Sequence, residues 1–195
     1  LVGKENQMSK KWIWIIGIIA AAVIIGGWVI GAYNNLVGMD VSVKASWAQV
    51  ENQYQRRLDL IPNLVETVKG YKIHETEAIK NVSDARARLA GAASTSDKVS
   101  AANGLEGALS RLLMIVENYP NLKADANFRQ LSDSLEGTEN RIAVERMRYN
   151  ETVKNYNIAV RSFPTSIFAG MFGFDREKTL FKAAEGAQEV PKVKF

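Results

Sequence analysis

Few residues of this chain are equipped for bond-making chemistry. There is one histidine, His74, and no cysteine. A thiol nucleophile, a disulfide framework and a zinc site built from Cys or paired His are therefore excluded. Any Ser-His-Asp arrangement would have to use His74. His74-Glu75 opens like the helical HExxH metal motif, but no second His follows. A His followed by Glu on a helix is also the setting of a phospho-accepting histidine, although the chain has no ATP-binding module of its own. Neither GxGxxG nor GK[ST] occurs, so no phosphate-cradling glycine loop is present. Glu75 and Glu77 stand two apart, and helix residues at that spacing do not face each other. Nothing here demands acid–base catalysis, and no catalytic residue, metal ligand or cofactor is assigned.

The elements that would position these side chains begin with an anchor. The chain has 195 residues, 47% hydrophobic and 24% charged, as a globular chain requires. Its most apolar run, WIWIIGIIAAAVIIGGWVIGA from Trp12 to Ala32, contains no charge. Ile13 to Ile30 alone covers roughly 27 Å as a helix, against a hydrocarbon core of about 30 Å. Trp12 and Trp14 at one end, and Trp28 and Tyr33 at the other, suit the two headgroup belts. A cleaved signal peptide fits less well: the run exceeds the usual h-region, and Ala20-Ala21-Ala22 lies in its middle. MSKKW from Met8 reads as a natural start, with residues 1–7 an upstream extension.

Lys4, Lys10 and Lys11 precede the span, and only Lys44 follows before Arg56. The positive-inside rule then places the N-terminus in the cytoplasm and the large domain outside the cell membrane. Three of the 25 basic and one of the 21 acidic residues lie in 1–32, leaving 22 and 20 for the rest. So balanced a surface is no footprint for nucleic acid.

After the span, three segments carry helical apolar periods in alternating steps of four and three. The first seam is Val43, Trp47, Val50, Tyr54, Arg57, Ile61, Leu64 and Val68. Pro62 falls inside it and predicts a kink or a restart, with Asp59 as cap. A further stretch, Ile73 to Ala90, presents Ile79, Val82 and Leu89. Gly91 to Ser100 is the first clear break, with Ser96 or Asp97 capping the next helix. That helix carries Leu105, Leu109, Leu112, Val116 and Tyr119, and Tyr119-Pro120-Asn121 ends it. The third segment, from Lys123 to about Phe163, has the seam Phe128, Leu131, Leu135, Thr138, Ile142, Glu145, Tyr149, Thr152, Tyr156 and Ala159. The expected fold is all-α: a short N-terminal segment at 1–11, a transmembrane helix at 12–32, and an elongated antiparallel helical bundle at 33–162. Residues 163–195 form an apolar loop and an extended tail. In that loop Phe163, Ile167, Phe168, Met171, Phe172 and Phe174 either plug the bundle end or meet an oligomer, a partner or the membrane surface. The tail Val190 to Phe195 alternates like a strand that could dock on another chain.

These segments contain blocks that resemble the LemA family. NQYQRRLDLIPNLVETVKGY (Asn52 to Tyr71), His74-Glu75, YPNLKA from Tyr119, NYN with FP between Asn155 and Pro164, and the closing Pro-x-Val-x-Phe follow in the family's order. The resemblance covers the whole chain and implies a membrane-anchored, mainly helical bundle of bacteria. It delivers no mechanism. It also implies the opposite topology, with the domain in the cytoplasm. The motif residues have physical readings of their own. Arg56, Arg57 and Asp59 are expected to form a partly buried charge network beside the Pro62 kink, and Asn63 to satisfy backbone groups freed by the proline. Their role is then to fix helix register, or else to hold a ligand or partner.

Assembly is better motivated than catalysis. Gly27 and Gly31 make a GxxxG in the span, and Ala22 with Gly26 a second small pair. Gly27, Gly31, Phe168, Met171, Phe172, Phe174 and Phe195 are the interaction candidates. The expectation is a non-enzymatic bitopic protein of the bacterial inner membrane that forms homo-oligomers and scaffolds envelope proteins. The alternative is a regulatory adaptor with phosphotransfer at His74, and behind it an enzyme centred on Arg56, Arg57 and Asp59.

Overall fold

A computed structural model describes residues 5–71 and 75–181, with side chains from Trp12 onward. Among the described residues there are six helices and no strand. They are α1 (Glu5–Gly70), α2 (Thr76–Gly91), α3 (Thr95–Val116), α4 (Pro120–Lys123), α5 (Ala126–Arg161) and α6 (Thr165–Met171). The chain packs as two compact units. Of the described residues, the span-bearing unit holds those within 1–44 and 151–180, and the bundle unit holds those within 45–150 together with Phe181.

The bundle unit is built on the predicted stripes. Val50, Tyr54, Ile61, Leu64 and Val68 of α1 are buried, as are Ile79, Val82 and Leu89 of α2 and Leu105, Leu109, Leu112 and Val116 of α3. Three boundaries differ from expectation. The first break comes after Gly70, earlier than Gly91: the Tyr71 N–H turns back to the Val68 carbonyl at 3.2 Å in a tighter turn that ends the helix. The α3 cap is Ser94, whose Oγ accepts from the Asp97 N–H at 3.0 Å, in place of Ser96 or Asp97. Ser94→Ala should cost about 1 kcal/mol in denaturant unfolding followed by circular dichroism. Pro120 opens α4, with its missing N–H at a position where no intrahelical bond was available.

α5 keeps its seam at Phe128, Leu135, Thr138, Ile142 and Tyr149, then departs from it. Tyr156 stays buried as expected, but Val153, Asn157 and Val160 take the buried positions expected of Thr152 and Ala159, which are half-buried. A straight helix drifts by about 20° per heptad against a strict seven-residue repeat, so a long seam must change residues. Asp125 precedes α5 and accepts from the Phe128 N–H at 2.9 Å and from the Tyr71 hydroxyl at 2.8 Å. Those two donors hold its carboxyl below the ordinary range.

In the span-bearing unit, the described residues leave most of the apolar part of α1 exposed, and near its end Phe168 meets Trp28. Its most apolar window has a mean hydropathy of 2.6 and is 0% buried. Trp14, Val23 and Ile24 are about as exposed as side chains on an isolated helix, at 75%, 69% and 71%. An apolar surface on all faces is the signature of a helix solvated by lipid, and α1 is long enough there to cross a membrane.

Candidate functional site

The polar residues of the bundle unit gather around two seam positions of α1. Arg57 is 5% exposed and forms an ion pair with Glu139 of α5 through Nη2. Its Nε and Nη1 have no protein partner, so this cation is incompletely satisfied inside the core. Arg56 and Asp59 are exposed on other faces of the helix. Asp59 accepts from Gln55 Nε2 at 2.8 Å. The expected network of Arg56, Arg57 and Asp59 therefore does not form: steps of one and two along a helix turn these side chains about 100° and 200° apart. One turn earlier, the Tyr54 hydroxyl accepts from Arg146 Nη2 at 3.1 Å, and the same nitrogen reaches Asn103 Oδ1 at 3.3 Å. Burial raises the Tyr54 phenol above its ordinary range, partly offset by the Arg146 charge. Lys98 pairs with Glu51 nearby.

Pro62 neither restarts the helix nor needs Asp59 as a cap, since α1 continues through it. A proline inside a helix removes the hydrogen bond to the carbonyl four residues back. That carbonyl belongs to Leu58, and Arg86 of α2 donates to it from Nε at 3.0 Å. Asn63 does not perform this task; it is exposed, and its own carbonyl accepts from Thr67 Oγ1 at 2.8 Å. The motif proline thus creates an acceptor for a second helix. Arg86→Ala should cost about 1–2 kcal/mol, and much less in a Pro62→Ala background, where a main-chain N–H returns to the same carbonyl. A double-mutant cycle by urea denaturation in detergent measures the coupling, and simple additivity would refute the link.

An extended segment follows α6, and two asparagines of α5 hold it. In the bundle unit, Asn150 Nδ2 donates to the Phe181 carbonyl at 3.0 Å while the Phe181 N–H donates to Asn150 Oδ1 at 2.8 Å. The Phe181 ring then stacks on Trp47 with centroids 5.7 Å apart and meets Tyr149 edge-on at 5.2 Å. In the span-bearing unit, Asn157 makes the same pair of hydrogen bonds to Lys178: its Nδ2 donates to the Lys178 carbonyl at 2.9 Å and its Oδ1 accepts from the Lys178 N–H at 2.8 Å. Tyr156 donates its hydroxyl to the Asp175 carbonyl at 2.9 Å. Lys178 Nζ sits 2.8 Å from Asp40 and 3.1 Å from Asp175. Its hydrogen bond, with that of Lys44, holds the Asp40 carboxyl below the ordinary range. Burial pulls the Lys178 ammonium down, but the two carboxylates outweigh it and raise it overall. The Tyr156-Asn157 pair of the NYN motif is thereby accounted for. Sequence reasoning missed these asparagines; the available signal was two amides seven residues apart, Asn150 and Asn157, on the apolar side of a helix.

The apolar candidates also find places in the span-bearing unit. Phe168 meets Trp28 edge-on at 5.4 Å, and Phe172 and Phe174 meet Tyr33 at 5.0 and 5.8 Å. Met171 is exposed. Apart from the adjacent residues and the backbone of its own helix, no described atom lies within 4 Å of the place a Cβ would take on Gly27 or Gly31. Gly31 lines a groove of about 360 Å³ with Trp28, Leu36, Ala159 and Thr165 of the same unit. His74 and Phe195, with the Val190–Phe195 tail, lie outside the described residues.

Comparison with known proteins places these features in a lineage. The model of the LemA family matches residues 46–195. Magnetosome protein MamQ 2 of Paramagnetospirillum magneticum is 27% identical over 185 residues, covering 82% of this chain and 65% of its own length. Magnetosome protein MamQ of Magnetospirillum gryphiswaldense is 28% identical over 74% of this chain and 62% of its own. Protein LemA of Metamycoplasma hominis is 23% identical over 82% of this chain and 70% of its own. The chain thus spans somewhat less than two thirds of the MamQ relatives it matches.

Proposed function

The chain belongs to the LemA family, and from that premise we propose that it is a non-enzymatic, membrane-anchored helical module that self-associates and scaffolds other envelope proteins. The observation that carries this reading is the uncovered apolar stretch of α1, 0% buried over its most apolar window. Such a surface requires lipid and favours neighbouring helices, and small residues at Gly27, Gly31, Ala22 and Gly26 permit close backbone approach. Gly31 also looks into its own unit's groove, so Gly27 is the position at which a second copy has freer access. The polar groups of the bundle unit support a structural role: Arg57, Arg86, Arg146 and Lys98 are each engaged with a partner in the same unit. The magnetosome naming of two relatives is compatible with a place in a membrane-bound assembly.

Full-length protein in detergent should run as a defined oligomer by light scattering. Gly27→Leu should weaken it about tenfold, the effect of losing about 1.4 kcal/mol of close packing. A monomer at micromolar concentration, unchanged by the substitution, would overturn the assembly reading. The proposed orientation places the N-terminus in the cytoplasm and the bundle outside. Ala93 lies exposed between α2 and α3, beside the Ser94 cap but not part of it. In this cysteine-free chain, Ala93→Cys should react with a membrane-impermeant maleimide in spheroplasts with intact membranes. Labelling only after lysis would reverse the topology.

A further inference from the structure

α6 is seven residues long and two-sided. Its inner side is occupied: Ala169 is 1% exposed and Phe168 packs on Trp28. Its outer side is not. Phe163, Ile167 and Met171 recur every fourth residue, and they are 82%, 54% and 73% exposed. Residues four apart share one face of a helix, so Ile167 and Met171 make an apolar stripe along α6, and Phe163 lies exposed in the turn just before it. From Ser162 to Phe174 no residue is charged, whereas Arg161 and Asp175 bracket the segment. Nothing about this stripe suits water.

We propose that this stripe is a second membrane contact, lying shallowly in the boundary between headgroups and acyl chains of one leaflet. The inference rests on the reading of Trp12–Ala32 as a lipid-crossing segment, which it deepens. The occupant follows from where α6 is held. Phe168 contacts Trp28, and Phe172 and Phe174 contact Tyr33, the two aromatic residues that mark one end of the span. Aromatic residues at a span end sit at headgroup level. A helix pinned to them by its inner side has its outer side at the same depth, continuous with a surface that already meets lipid. Short apolar elements at that depth lie in the interface plane and do not cross it. The pairing of α6 with α1 would then set the height and tilt of the span end.

The test uses the full chain, which has no native cysteine. Single cysteines at Ile167 and Met171 carry an environment-sensitive nitrobenzoxadiazole dye, in phosphatidylcholine–phosphatidylglycerol vesicles. Ile19→Cys in the span and Glu177→Cys on the exposed segment are the references. Ile167→Cys and Met171→Cys should show blue-shifted emission and lose more than half of it to lipids spin-labelled near the headgroup. Ile19→Cys should be quenched by lipids labelled deep in the chain, and Glu177→Cys by neither. If the α6 probes behave like Glu177 while Ile19 is quenched, the inference fails and the span reading stands. If Ile19 is also unquenched by lipid, both fail. If the α6 probes are shielded from water and from both lipids, a second copy covers the stripe and the lipid assignment is wrong.

Discussion

Replacing Glu139 by Ala is expected to cost the bundle unit about 3 kcal/mol, the low end of the range for stranding a buried charge. Arg57 is almost fully enclosed, and Glu139 is its charged partner in the same unit. Without that carboxylate, the guanidinium must stay buried uncompensated or force its way to water. The low end applies because Glu139 is itself 33% exposed, so the pair is partly screened. The opposite substitution should behave differently. Arg57→Met keeps the volume of the side chain, removes two unsatisfied donors and leaves a carboxylate that can turn to solvent. It should lie within about 1 kcal/mol of the parent or be more stable. The double variant should resemble Arg57→Met. Thermal and urea unfolding of all three, followed by circular dichroism in detergent, decides the matter. Equal losses for Glu139→Ala and Arg57→Met would mean that the pair acts as ordinary packing. The asymmetry also explains what Arg57 could contribute at an otherwise apolar seam: a charge that tolerates one register alone, because only one places Glu139 opposite it.

Asn157→Leu should release the segment after α6 while leaving the helices folded. The substitution removes both hydrogen bonds to Lys178 and leaves a main-chain N–H and carbonyl without partners beside an apolar side chain. The local loss should be about 2 kcal/mol, from two modest bonds and the penalty for groups left unpaired. Amide hydrogen exchange at Lys178 should accelerate about thirtyfold, the equivalent of that free energy, with little change near Leu105 or Leu112. Unchanged exchange would show that Tyr156 and the Asp40 pair suffice. Acid should loosen the same segment. Asp40 has a lowered carboxyl in the folded protein, so its contribution is present above the ordinary carboxylate pKa and is lost as pH falls through its folded value. Lys178 is raised, so its contribution is present below the ordinary ammonium pKa and is lost only as strong alkali passes its folded value. Protection at Lys178 should therefore hold across the neutral range and fade below about pH 4.

Much of this architecture could be read before any coordinates. The span, the all-helical class and most buried positions of α1, α2 and α3 follow from hydropathy and from periods of three and four, which are properties of one segment at a time. The family motif was legible as a string, yet the partners expected for its residues were not the ones the structure shows. Arg56 and Asp59 share a string with Arg57 but not a helix face. Asn63 neighbours Pro62 in sequence, whereas the Leu58 carbonyl that the proline orphans is answered by Arg86. The late seam of α5 slipped because a strict heptad was extended over a straight helix.

The sequence by itself determined that an uncharged apolar run long enough for lipid precedes stretches of amphipathic helix, because burial and periodicity act locally along the chain. The tertiary structure alone decided which polar groups meet. Glu139 faces Arg57, Arg86 answers a proline 24 positions earlier, and two asparagines clasp an extended backbone. Hydrogen bonds and ion pairs depend on distances of about 3 Å, and only packing brings residues far apart in the chain to that separation.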